Sequence, residues 1–201
     1  MPKTIKVKLT FTWELYGTMP GDRDVFSTYV AGLAPSEEGA EGELADFDAI
    51  ALEKRATTIF ASDENGAPAL RDYQAKGFFK DACSMLSRVK GQTKSSGLKA
   101  YKKIIDGLIF IAPRYIPIAV VGEVGTSQRP LRAMTARGEM TALASSETVP
   151  AGSSIEVAIT LLDEKLEPLV EEWLDYGGMR GLGQWRNAGN GTFKWERIGD
   201  T

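Results

Sequence analysis

This sequence predicts an α+β fold with a largely antiparallel sheet, on three observations. Lys3–Tyr16 and Ser154–Leu162 alternate apolar and polar side chains with a period of two, the pattern of strands with one wet face. Tyr73–Val89 and Leu166–Tyr176 repeat apolar residues at spacings of three and four, the pattern of amphipathic helices. Strands and helices are mixed without a regular β-α-β alternation, which argues against a parallel doubly wound sheet.

Taken in order, Ile5, Val7, Leu9, Phe11, Trp13 and Leu15 fall on one face of a first strand that Gly17–Asp22 ends. Residues 32–48, rich in Gly, Ala, Ser and Glu, read as a loop, and Ala49–Lys54 as a possible helix. Thr57–Phe60 is strand-like and Asp63–Gly66 a turn. The helix Tyr73–Val89 carries Phe78, Phe79, Ala82, Met85 and Leu86 on its apolar stripe. A basic loop, expected to be flexible, covers 91–97, and a short helix or turn covers Leu98–Asp106. Gly107–Pro117 is apolar and β-branched, hence a strand with bends or an edge at Pro113 and Pro117, which Ile118–Val124 extends. Arg132–Leu143 alternates weakly as another strand. After the strand Ser154–Leu162 and the helix Leu166–Tyr176, a glycine-rich segment leads to a last strand, Thr192–Ile198. Trp13, Trp173, Phe78, Phe79 and Cys83 are expected in the core, and Trp185 and Trp195 are the better candidates for stacking on a base.

The 201 residues make one domain, with an acidic insertion around 32–48 and a basic loop around 90–103. The hydrophobic fraction of 43% and charged fraction of 25% are those of a globular chain. No apolar run approaches a membrane span, and no apolar segment follows the first residues as in a signal peptide. The single cysteine, Cys83, makes neither an internal disulfide nor a zinc cluster, so a cytoplasmic protein is expected. The chain has no histidine, which removes Ser-His-Asp and Cys-His catalysis and His-ligated metals. Catalysis would fall to carboxylates, Lys, Tyr or a carboxylate-held cation such as magnesium; no other cofactor is expected.

The net charge of −3 is unevenly spread. Residues 21–70 carry eleven acidic and three basic side chains, and residues 71–114 carry ten basic and three acidic ones. The basic block includes Lys76, Lys80, Lys90 and Lys94, a candidate surface for tracking phosphates. Gly177–Gly191 holds six glycines in fifteen residues, with Arg180, Trp185 and Arg186 among them. Glycines let backbone N–H groups approach phosphate oxygens, and a tryptophan offers a stacking face. The segment is neither a Walker A motif nor a dinucleotide fingerprint, because no Gly-Lys-Ser/Thr occurs and it follows a helix. Arg132, near Gln128–Arg132, is a second candidate phosphate or subunit contact.

Three stretches together resemble the RAMP superfamily, the RRM-like proteins that include backbone subunits and processing ribonucleases of CRISPR effector systems. Ser146–Val157, with Val149-Pro150-Ala151-Gly152 before a strand, is similar to that family's strand entry. Gly177-Gly178-Met179-Arg180-Gly181-Leu182-Gly183 is similar to its C-terminal glycine-rich loop, and Tyr73–Lys80 to a Lys-Gly step at the opening of its first helix. The usual Gly-Ser-Ser before Lys76 is missing, and the acidic insertion does not align. The resemblance implies a ferredoxin-like core with helices on one face of the sheet. It further implies single-stranded RNA, or single-stranded DNA, held by its backbone at Lys76, Gly77, Lys80, Gly178, Arg180, Gly181, Gly183, Trp185 and Arg186. Other subunits or copies of the chain would be its partners in a CRISPR-type or mobile-element assembly, in antiviral defence. It also implies an alternative, a magnesium-dependent endoribonuclease using Asp22 or Asp24 in the loop after the first strand. A third reading is a phage or mobile-element protein that self-assembles or engages a host complex; the acidic and basic blocks would suit head-to-tail association.

Overall fold

The computed structural model describes residues 2–21, 57–135 and 138–200, with backbone alone for 131–143 and 200. The acidic insertion 32–48, the possible helix Ala49–Lys54 and both candidate aspartates, Asp22 and Asp24, lie outside the described residues.

The core is antiparallel. Strand β1 (Lys3–Phe11) pairs with β11 (Ser154–Leu161) on one side and β12 (Phe193–Asp200) on the other. The far side of β11 pairs with β7 (Ile109–Ala112) and then β8 (Tyr115–Ala119), one strand interrupted at Pro113. Helix α1 (Asp72–Leu86) lies between β1 and β7 in sequence, and α3 (Glu167–Arg180) lies between β11 and β12. The order β12-β1-β11-β7/β8 with these two crossovers is the ferredoxin-like βαββαβ arrangement, with both helices on one face.

The alternating residues fix the register. Ile5, Val7, Leu9 and Phe11 of β1, and Ile155, Val157, Ile159 and Leu161 of β11, are buried under the helices. Each such side chain is worth about 1.5–3 kcal/mol of burial. A one-residue slip would expose the whole row. On the opposite face Lys8 stands across from Glu156 and Glu196. Exposed pairs of that kind contribute about 1 kcal/mol at most, so the apolar face decides the pairing.

Three insertions decorate this core. Strands β2 (Leu15–Tyr16), β3 (Met19–Pro20), β4 (Thr58–Ile59), β5 (Ala61–Ser62) and β6 (Pro68–Arg71) precede α1. A 3-10 turn (Lys94–Gly97) and α2 (Tyr101–Leu108) follow it. Strands β9 (Gly125–Thr135) and β10 (Gly138–Val149) form a long hairpin between β8 and β11, and β10 also pairs with β2 and β4.

Four sequence expectations change. The first strand ends at Phe11, because the chain bends at Thr12–Trp13 and β2 joins the second sheet. Trp13 is therefore 59% exposed rather than in the core, while Leu15 is still buried. The strand expected at Arg132–Leu143 belongs instead to the two strands of the β9–β10 hairpin. The loop 91–97 is anchored rather than free. The N–H groups of Lys94 and Ser95 and the Ser95 hydroxyl all donate to the Glu172 carboxylate, at 2.7, 2.9 and 2.6 Å.

Cys83 is a core thiol, with its pKa pushed up first by burial. Glu167 on α3 accepts Lys3 Nζ at 2.7 Å and Arg197 Nη2 at 2.8 Å, and the two cations hold its carboxyl below the ordinary glutamate range. A depressed carboxylate pKa contributes stability that is present above the unfolded-state pKa and lost as pH falls through the folded one. Unfolding stability should therefore decline with acidification at and below the ordinary glutamate range. Urea midpoints measured between pH 6 and 3 should show a shallower decline for Glu167→Gln; parallel curves would dismiss this contribution.

Candidate nucleic-acid interface

Two of the segments singled out in the sequence, Tyr73–Lys80 and the glycine-rich loop, meet at one cavity of about 440 Å³. Its walls are Thr18–Pro20 after β2, the first half of α1 with Tyr73, Gln74 and Gly77, and the glycine-rich loop with Leu182, Gly183 and Arg186. Gln74 fastens two of the walls. Its Oε1 accepts the Arg71 N–H at 2.8 Å, and its amide donates to Thr18 Oγ1.

Gly77 is exposed, and a Cβ built there meets nothing within 4 Å, so packing does not require it. Glycine inside a helix costs about 1 kcal/mol relative to alanine. The open space above Gly77 is the cavity, where the helix backbone can be approached closely.

Lys76 and Gly77 lie in the second turn of α1, which starts at Asp72, so they do not open the helix as the resemblance implied. The first-turn donors are engaged: the Asp72 N–H goes to the Arg114 carbonyl, and the Tyr73 N–H to Asp72 Oδ1. Lys76 and Lys80 share the stripe beside Gly77 and face α2. Lys80 Nζ pairs with Asp106 at 2.6 Å, and Lys76 Nζ reaches the Asp106 carbonyl and lies 4.9 Å over the Phe110 ring. On the other shoulder, Asp81 Oδ2 accepts Arg180 Nε at 2.9 Å and Arg186 Nη1 at 2.8 Å. The aspartate raises the Arg180 pKa and holds Arg180 beside Arg186, which lines the cavity.

The remaining candidates are spread out. Lys90 is exposed beyond the far end of α1. Lys94 Nζ reaches the Pro168 carbonyl, about 18 Å along α3 from Arg180 at 1.5 Å per residue. Arg132 stands on β9 opposite Thr141, placed by backbone alone. Gly178 is exposed on α3, whereas Gly181 is buried against Asn190–Thr192. Trp185 stacks on Tyr16, with centroids 5.6 Å apart and 7° between planes, and Arg129 lies against both rings. Trp195 donates to Asp175 at 2.8 Å and packs beside the core. Among the described residues no group of acidic or cysteine side chains is placed to hold a metal, and no helix is long and apolar enough to cross a membrane.

Sequence reasoning missed Asp81, four residues beyond Gly77 on the same stripe. It also missed an aromatic–cation cluster at the start of α1. Arg71 and Tyr115 are cross-strand partners in the β6–β8 pair, and Arg71 Nη1 donates to the Tyr115 hydroxyl at 2.8 Å.

No family model and no curated protein matches the chain. Solved structures match by fold. One, described as "Cryo-EM structure of the Type III-B Cmr-beta bound to cognate target RNA", superposes with a TM-score of 0.52 at 10% identity. The match covers 100% of this chain, which spans 60% of that one. At that identity the likeness establishes the fold alone, and it agrees with the strand order above.

Proposed function

We propose that the chain is a RAMP-type protein that binds single-stranded RNA through its backbone, as a subunit of a CRISPR-type ribonucleoprotein assembly. One observation carries the reading: the loop after β2, the bare Gly77 surface of α1 and the arginine-rimmed glycine loop converge on one cavity. The strand runs over Gly77, where no side chain holds it away, between Lys76 on one shoulder and Arg186 on the other. Such contacts read shape and charge more than base edges. The fold shared with a component of an RNA-bound assembly supports the same reading.

Fluorescence anisotropy with a labelled single-stranded RNA tests it. Affinity should fall steeply with salt. Arg186→Gln and Lys76→Glu should each weaken binding and flatten the salt slope by about one. Wild-type affinity in both variants would reject the site.

Gly77→Ala separates function from stability. The new methyl has room and improves helix propensity, so it should raise unfolding stability by about 0.5–1 kcal/mol. The same methyl stands where the RNA backbone approaches, so affinity should drop several-fold. A more stable variant that binds as well as wild type would show that nothing passes over Gly77.

A further inference from the structure

Next to the cavity, Tyr73, Arg71 and Tyr115 make a continuous exposed surface. Tyr73 lines the cavity and is 51% exposed; Tyr115 is 38% exposed. The Arg71 guanidinium lies 4.2 Å from the Tyr115 ring centroid and 5.6 Å from that of Tyr73, so it bridges the two rings. The Tyr73 hydroxyl is held by Met19 Sδ at 3.2 Å.

Three features set this cluster apart. Lys80 is paired with Asp106, and Arg180 and Arg186 share Asp81, but among the described residues no carboxylate contacts Arg71. Its Nε is shielded from solvent and has no hydrogen-bond partner. The guanidinium is thus held by ring faces and one phenol oxygen, which leaves its charge available. Finally, two large aromatic rings stay in solvent although the core beside them is closed, which costs exposed apolar area. Among the described residues the open face of the sheet shows no such cluster: Lys8 lies between Glu156 and Glu196 there, and the exposed ring at the edge, Phe110, is covered by Lys76.

We propose that Arg71, Tyr73 and Tyr115 form a base-stacking subsite for the nucleotide adjoining the one in the cavity. The reading rests on the RNA-binding function proposed above. An unstacked base lies on the exposed tyrosine faces, every base having a π-face to offer, while Arg71 attracts its phosphate. A second cavity on the far side of Tyr115 is lined by Asp63 and Glu64 together with Arg114.

The test uses the full chain and a single-stranded RNA carrying one 2-aminopurine, read by anisotropy and by the emission of that base. Stacking on a protein aromatic is worth about 1–3 kcal/mol, or roughly five- to 150-fold in affinity. Tyr73→Leu with Tyr115→Leu should lose that factor with an unchanged salt slope, and should alter the 2-aminopurine emission of the complex. Arg71→Gln should weaken binding and flatten the slope. All three positions are at least partly exposed, and thermal unfolding confirms that each variant folds. RNA held with full affinity and unchanged emission by the double leucine variant would overturn the subsite and leave the cavity reading intact. Failure of the wild-type protein to bind RNA would overturn both.

Discussion

Trp173→Ala should remove about 3–5 kcal/mol of unfolding stability, the range for deleting a large buried aromatic. Trp173 has no exposed surface and sits where α3 faces α1, with its ring centroid 5.5 Å from that of Phe79. It also closes a chain of hydrogen bonds. Its Nε1–H donates to Ser95 Oγ at 2.9 Å, and Ser95 donates in turn to Glu172 Oε2 at 2.6 Å. Alanine therefore opens a void between the helices and removes a donor from the anchor of the Lys94–Gly97 turn. Trp173→Phe keeps much of the volume and should lose far less, about 1 kcal/mol for the hydrogen bond plus a residual cavity. Urea denaturation measures both. An alanine variant within 1 kcal/mol of wild type would contradict the packing described for this face.

The same residues show why much of the fold is legible in the sequence and some is not. Leu169, Val170, Trp173 and Leu174 share a helical stripe because 3.6 residues make a turn, and all four are buried. Ile155, Val157, Ile159 and Leu161 share a strand face for the equivalent reason. Period carries no information on where a chain changes sheets. The alternation through Trp13 and Leu15 therefore looks continuous, although Thr12–Trp13 is a bend. Composition is equally silent about distant partners. Residues 91–97 are small and polar, and nothing local reveals that Glu172, 78 residues from Lys94, takes their N–H groups. The first strand of the β9–β10 hairpin has no apolar alternation to read, because its half-buried side carries Ser127 and Arg129.

For the site, composition marked the glycine loop and the basic helix, and the fold does bring Gly77, Gly183 and Arg186 to one cavity. Which cations pair with carboxylates is not legible, because that depends on side-by-side stripes 100° apart on α1. Lys76 and Lys80 turn toward Asp106, and the next stripe puts Asp81 under both arginines. Arg71, Tyr73 and Tyr115 come together through a strand pairing across 44 residues, with no motif to announce it.

Gly191→Ala should cost about 2–5 kcal/mol and also weaken RNA binding. Gly191 has φ +69°, where an L side chain costs about 1–2 kcal/mol. Its Cβ would fall on the Leu182 carbonyl oxygen, and backbone cannot rotate away as a side chain can, so overpacking adds about 1–3 kcal/mol. The relief must come from the strap that Gly191 holds together. The Leu182 N–H donates to the Gly191 carbonyl at 2.8 Å, and the Gly191 N–H to that of Glu14 at 2.7 Å. Moving this strap displaces Leu182 and Gly183, two residues of the cavity wall. Gly189 is the control. It has φ +84° but open space where its Cβ would stand, so Gly189→Ala should show only the conformational cost and keep wild-type affinity. Denaturation midpoints and RNA anisotropy on the two variants separate the cases. Equal losses of stability, or a Gly191→Ala protein that binds RNA undiminished, would mean that the strap does not shape the cavity.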